Sequence, residues 1–146
     1  MTEDTKQCRP TEGWTIDVPR NFTEIDNGDS WQAHEGVRCV YVSSMKVNDA
    51  SGGAVPAAAL FATASRQLAP PSQAERHSFE EAGLNAAAQI IQTDTGFDLK
   101  GFTCVDGCVA TCVISFAEEA DRDWAVATWK SLRLSESKPK PWWRLW

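Results

Sequence analysis

The sequence has little of what most active sites are built from. Only two histidines, His34 and His77, and one tyrosine, Tyr41, occur in 146 residues, so imidazole bases for nucleophilic chemistry are confined to two positions. No G-x-S-x-G, G-x-G-x-x-G, phosphate-binding loop, H-E-x-x-H or EF-hand pattern is present. No apolar run reaches the roughly 18 residues that a membrane-spanning helix needs, and Met1 to Arg9, with Glu3, Asp4, Lys6 and Arg9, lacks the apolar core of a secretory signal. Fourteen Lys and Arg against twenty Asp and Glu leave a net charge of −6, and no long basic run exists to neutralise phosphates, which argues against a nucleic-acid partner. Five cysteines make an odd number at irregular spacing, unlike a secreted disulfide framework. These absences lead us to expect a cytoplasmic protein with reduced thiols, no transmembrane segment, no metal and no cofactor.

What is present is enough for a core. The chain has the length of one domain, and its 42% hydrophobic and 23% charged residues are close to the globular average. Trp14, Ile16 and Val18 alternate with Thr15 and Asp17, the period of a strand with one buried face, and Pro19 stops it. Asn27-Gly28 has the chemistry of a two-residue type I′ turn between 22–26 and 29–35, and Glu35-Gly36 offers a second tight turn before the β-rich stretch 37–47. The first third therefore reads as an antiparallel meander. Ser51, Gly52 and Gly53 make a loop, and Pro56 then suits the first position of a helix running from Ala57 to about Leu68, with Leu60, Phe61, Ala64 and Leu68 on one face and Pro70-Pro71 at its end.

Two templates fit the stretch 76–93. Ser78 and Glu81 form a capping-box pattern, and Phe79, Ala82, Ala86 and Ile90 recur at helical spacing. Gly83 interrupts the helix, however, 76–80 alternates, and the neighbouring pieces form a sheet that needs more strands, so two short strands are expected. Asp106-Gly107 marks another hairpin between 97–105 and 108–117. A final helix starts near Asp121 and carries Trp124 and Trp129 onto the sheet.

Cys104, Cys108 and Cys112 repeat every four residues, which on a helix would gather three thiols for zinc or iron-sulfur binding. The hairpin removes that possibility: Val105 opposes Cys108 and Cys104 opposes Val109, so Cys104 faces away from the other two. Along one strand Cys108 and Cys112 stand about 13 Å apart, too far to share an ion bound at about 2.3 Å. Cys108 and Cys112 instead share a face with Ala110, Ile114 and Phe116, as core residues do. The one conceivable catalytic pair is Cys39 with His34, which the Glu35-Gly36 turn would put in diagonal positions about 7–8 Å apart. No orienting carboxylate or oxyanion loop can be placed around it.

From Ser135 the text becomes Pro-rich and aromatic. Trp142, Trp143 and Trp146 are interleaved with Lys138, Lys140 and Arg144, large amphipathic rings among cations of the kind enriched at protein interfaces. The segment is too short and too weakly basic to bind a membrane surface alone. It either covers an apolar strip of its own domain or of a second copy, or it engages another protein. The organisation expected is a flexible N-terminal segment over 1–11, a single α+β domain over 12–134 and a Trp-rich tail over 135–146.

The opening strand Trp14-Thr15-Ile16-Asp17-Val18-Pro19 and the closing helix with Trp129-Lys130-Ser131-Leu132 resemble those of the PsbP-like α/β/α sandwich superfamily. The resemblance covers 12–134 and implies an antiparallel sheet with flanking helices. It carries no active-site residue with it. It implies a binding or assembly-accessory role, because proteins of this fold mostly bind other proteins. Two other functions are compatible with the residues alone: a small thiol-dependent hydrolase using Cys39 and His34, and an immunity-type protein whose acidic surface neutralises a basic toxin.

Overall fold

Hairpins build most of the chain. The computed structural model describes residues 4–28, 30–68, 74–81 and 83–134. Within them β1 (Thr5–Cys8), β2 (Trp14–Pro19), β3 (Thr23–Asp26), β4 (Ser30–Glu35) and β5 (Arg38–Lys46) precede helix α1 (Ala57–Ser65). Four long strands follow, β6 (Glu75–Glu81), β7 (Leu84–Thr93), β8 (Gly96–Val105) and β9 (Cys108–Phe116). A single 3-10 turn then leads into α2 (Arg122–Lys130) and the two-residue β10 (Arg133–Leu134).

The strands form two antiparallel sheets. Seven lie in the order β3-β4-β5-β9-β8-β7-β6, and three in the order β1-β2-β10. This is the α+β arrangement expected, and 76–93 is two strands joined by a turn in which Gly83 takes φ 76°. The helical spacing of Phe79, Ala86 and Ile90 is overridden by pairing on both sides of β7. The expected register of the Asp106-Gly107 hairpin is also observed: Val105 pairs with Cys108 and Cys104 with Val109.

The face of the large sheet that carries Val40, Val42, Ala110, Cys112, Ile114 and Leu99 is covered by β2 and α2 and holds the main core. Trp14, Trp31 and Trp129 are fully buried there. Trp129 packs edge-on against Phe79 with ring centroids 5.3 Å apart and lies over Gly101, where a methyl group would come within 2.6 Å of its Nε1. Gly101 is thus the seat that lets a large ring approach the backbone of a central strand. Trp124 sits at the rim, against Phe22 and beneath the guanidinium of Arg38. On the opposite face the described residues give partial cover, where α1 lays Ala57 and Leu60 on Ala87, Phe102 and Cys104.

Several expectations need correction. The N-terminal segment is not outside the fold: Thr5–Cys8 pairs along β2 from Thr5↔Pro19 to Cys8↔Ile16, and Cys8 is buried. Lys6 Nζ donates to the Phe22 carbonyl at 2.8 Å and lies 3.5 Å from Glu24, which fastens β1 to the start of β3. The turn does not fall on Asn27-Gly28 as expected, since Asn27 lies inside the pairing: the ladder runs to Asp26↔Trp31, and Asn27 N–H donates to the Ser30 carbonyl at 2.9 Å. Gly28 takes positive φ, 84°, and its N–H donates to the Asp26 carboxylate at 2.9 Å. The next turn is Gly36-Val37, one residue later than expected, with Gly36 at φ 59° as the first position of a type II′ turn requires. Pro56 precedes the first helical residue, and α1 ends at Ser65, short of Leu68. Pro70-Pro71 and the whole of 135–146 lie outside the described residues. Among the described residues no helix is long and apolar enough to cross a membrane.

Candidate functional site

The half-covered sheet face is where side chains with chemistry gather. α1 is held there by a backbone clasp: Val47 N–H donates to the Gly107 carbonyl, Gly107 N–H to the Val55 carbonyl and Val55 N–H to the Val47 carbonyl. The Asp106 carboxylate accepts the N–H of Ala57, the first helical residue, at 2.8 Å. A turn residue of one hairpin thus caps a helix that begins 49 positions earlier, satisfying one of its orphan donors and opposing its dipole.

Between α1 and strands β5, β9 and β8 runs a groove of about 530 Å³. Met45, Val47 and Val109 form one end. Leu60, Ala64 and Leu68 form the helix wall, with Phe102 and Val113 on the floor. Lys100, Gln89 and Thr111 supply its polar atoms on the sheet side, and Thr63 and Gln67 on the helix side. Among the described residues no carboxylate lines it.

Beyond the groove the same face continues as an open surface. Its outermost row crosses four strands: His34 on β4 pairs with Cys39 on β5, Cys39 with Ser115 on β9, and Ser115 with Asp98 on β8. The shift of the turn to Gly36-Val37 makes His34 and Cys39 direct neighbours across a strand pair rather than diagonal ones. Ser115 Oγ donates to Asp98 Oδ1 at 2.8 Å. Neither Ser115 nor Asp98 was picked out by sequence reasoning. Only the β8-β9 register puts them together, and that register was legible from the Asp106-Gly107 turn.

Electrostatics do not prepare this row for catalysis. Burial pushes the Cys39 thiol above its ordinary value, the opposite of the depression that makes a cysteine nucleophilic near neutral pH. The other cysteines are packed too. Cys104 lies under α1 and Cys112 in the main core, where burial raises their thiols to about 11 and about 12. Cys108 is half-buried at the edge of the main core. The tail residues Lys138, Lys140, Trp142, Trp143, Arg144 and Trp146 lie outside the described residues. The last described strand, β10, runs from Arg133 opposite Thr15 to Leu134 opposite Trp14.

No protein-family model and no curated protein matches the sequence. Solved structures do match. A protein from Bacteroides thetaiotaomicron superposes with a TM-score of 0.57 at 14% identity over 94% of this chain, which spans half of that longer protein. The solution structure of cyanobacterial PsbP (CyanoP) from Synechocystis sp. PCC 6803 superposes with a TM-score of 0.59 at 16% identity, over 92% of this chain and 94% of that one. At such identities the likeness concerns the fold alone, and this chain has the PsbP-like fold that its opening strand and closing helix pointed to.

Proposed function

We propose that this protein is a non-enzymatic binding domain, an assembly-accessory protein that engages another protein or a second copy of itself in the cytoplasm. The observation that carries the reading is the unequal covering of the large sheet. One face is sealed by β2 and α2, whereas the other bears, among the described residues, only a nine-residue helix, with the surface around Tyr41, Ser43 and Val113 half-buried. A half-buried sheet surface beside an apolar groove suits recognition. The partner-binding residues proposed are those of the tail, Lys138, Lys140, Trp142, Trp143, Arg144 and Trp146, whose rings and cations suit an interface.

Deleting 135–146 tests the reading. Light scattering and crosslinking of the full and shortened chains should show loss of self-association or of partner capture. Unchanged behaviour in both removes the tail from the interface.

One observation favours a second reading, a thiol enzyme, because His34 and Cys39 are cross-strand neighbours. The raised thiol weighs against it. Slow alkylation of Cys39 at neutral pH, no faster than that of a free thiol, is the expected result.

A further inference from the structure

We propose that the groove between α1 and the sheet binds a free single-chain amphiphile with an anionic head, of the fatty-acid class, with its chain along α1 and its head at Lys100. The proposal goes beyond the protein-binding reading and does not depend on it.

Three observations converge. The groove's volume of about 530 Å³ falls within the range of small-ligand sites, roughly 300–1,000 Å³. Its walls from Met45 and Val109 along Leu60 and Ala64 to Leu68 are apolar, and the nine residues of α1 give them a length of about 14 Å. A slot of that shape takes an extended hydrocarbon.

The charge distribution then selects the head group. In a chain of net charge −6, this groove has, among the described residues, no acidic lining residue and one cation, Lys100. Lys100 pairs with Gln89 on one side and Val113 on the other, so it shares their face of the sheet, and it lines the groove. It is exposed, and it forms no ion pair among the described residues. The nearest carboxylate on that face of β8, Asp98, is one pleat away and accepts the hydroxyl of Ser115. An apolar slot with one unopposed cation complements an apolar chain with one negative charge.

The test is calorimetric titration of the full chain with decanoate and with decanol, both below their aggregation concentrations. Decanoate should bind one per chain, more tightly than decanol. Lys100→Met should weaken decanoate by about three- to fivefold, the size expected of a solvent-exposed ion pair, and leave decanol unchanged. Raised salt should mimic the substitution. Ala64→Phe, which fills the slot from the helix side, should abolish binding of both.

Absence of decanoate binding, equal affinity for the two ligands, or an unchanged decanoate affinity in Lys100→Met overturns the proposal. So does binding only to phosphatidylglycerol vesicles, which would place the ligand in a membrane. Because Lys100 is exposed, its substitution reports on the site even if Ala64→Phe fails to fold. None of these outcomes bears on the tail, so the protein-binding reading stands or falls separately.

Discussion

At the residue scale, the thiols make the protein's stability depend on alkaline pH. Cys112 is fully buried, and burial raises its thiol from 9.0 to about 12. Cys8, which burial and then the nearby Glu24 raise to about 12, and Cys104, at about 11, behave in the same sense. The unfolded chain releases these protons near pH 9, whereas the folded chain keeps them for another two or three pH units. The stability contributed by the protonated thiols is therefore complete below about pH 9 and is lost as pH rises through their folded values. Urea midpoints measured between about pH 8 and pH 11 should fall with pH. Cys112→Ala should flatten that fall by up to about 1.4 kcal/mol per pH unit, at the cost of lower stability at neutral pH. Parallel curves for the two chains would show that the thiol keeps its unfolded value in the fold.

At the scale of elements, the caps and turns show what a sequence can disclose. Asp106-Gly107 disclosed the β8-β9 hairpin and its register, because a two-residue turn leaves the flanking side chains no choice of face. That single turn places Cys104 under α1 and Cys112 in the main core. It did not disclose that the Asp106 carboxylate reaches Ala57 N–H, since no local pattern encodes a cap delivered from 49 residues away. Asp106→Ala should lower stability by about 1 kcal/mol and speed amide exchange in the first turn of α1. Asp106→Asn should keep most of the cap. If exchange in α1 is unchanged in the alanine variant, the cap carries no weight. The Gly36-Val37 turn was misplaced by one residue because both Glu35-Gly36 and Gly36-Val37 put a glycine at a position that tolerates positive φ. The short strands were missed for a different reason. Thr5–Cys8 has one apolar residue and Arg133–Leu134 has two positions, too few for any period to show. Their pairing with β2 is a tertiary fact.

At the scale of the whole molecule, β2 is the spine of the smaller sheet, with β1 along one edge and β10 on the other. A chain shortened to begin at Pro10 loses β1, the burial of Cys8 and the Lys6 bond to Phe22. It should be less stable by about 2–4 kcal/mol, given a few hydrogen bonds and one buried side chain, and it should associate through the bared edge of β2. Urea unfolding and light scattering check the two effects, and full stability without β1 would restore the idea of a dispensable N-terminal arm. The larger sheet has its own constraint. Among the described residues the N-terminal meander reaches the rest of it only through β5 and β9, whose partners lie from 62 (Lys46↔Cys108) to 76 (Cys39↔Ser115) positions apart in the chain. On a ribosome, β3, β4 and β5 must therefore wait as an unpaired edge until four more strands have been made, and β2 waits longer still for Leu134. That topology makes folding a late and largely concerted event, with a high contact order and a correspondingly slow rate, and it makes the interval before β9 emerges the period when the chain most needs protection from aggregation.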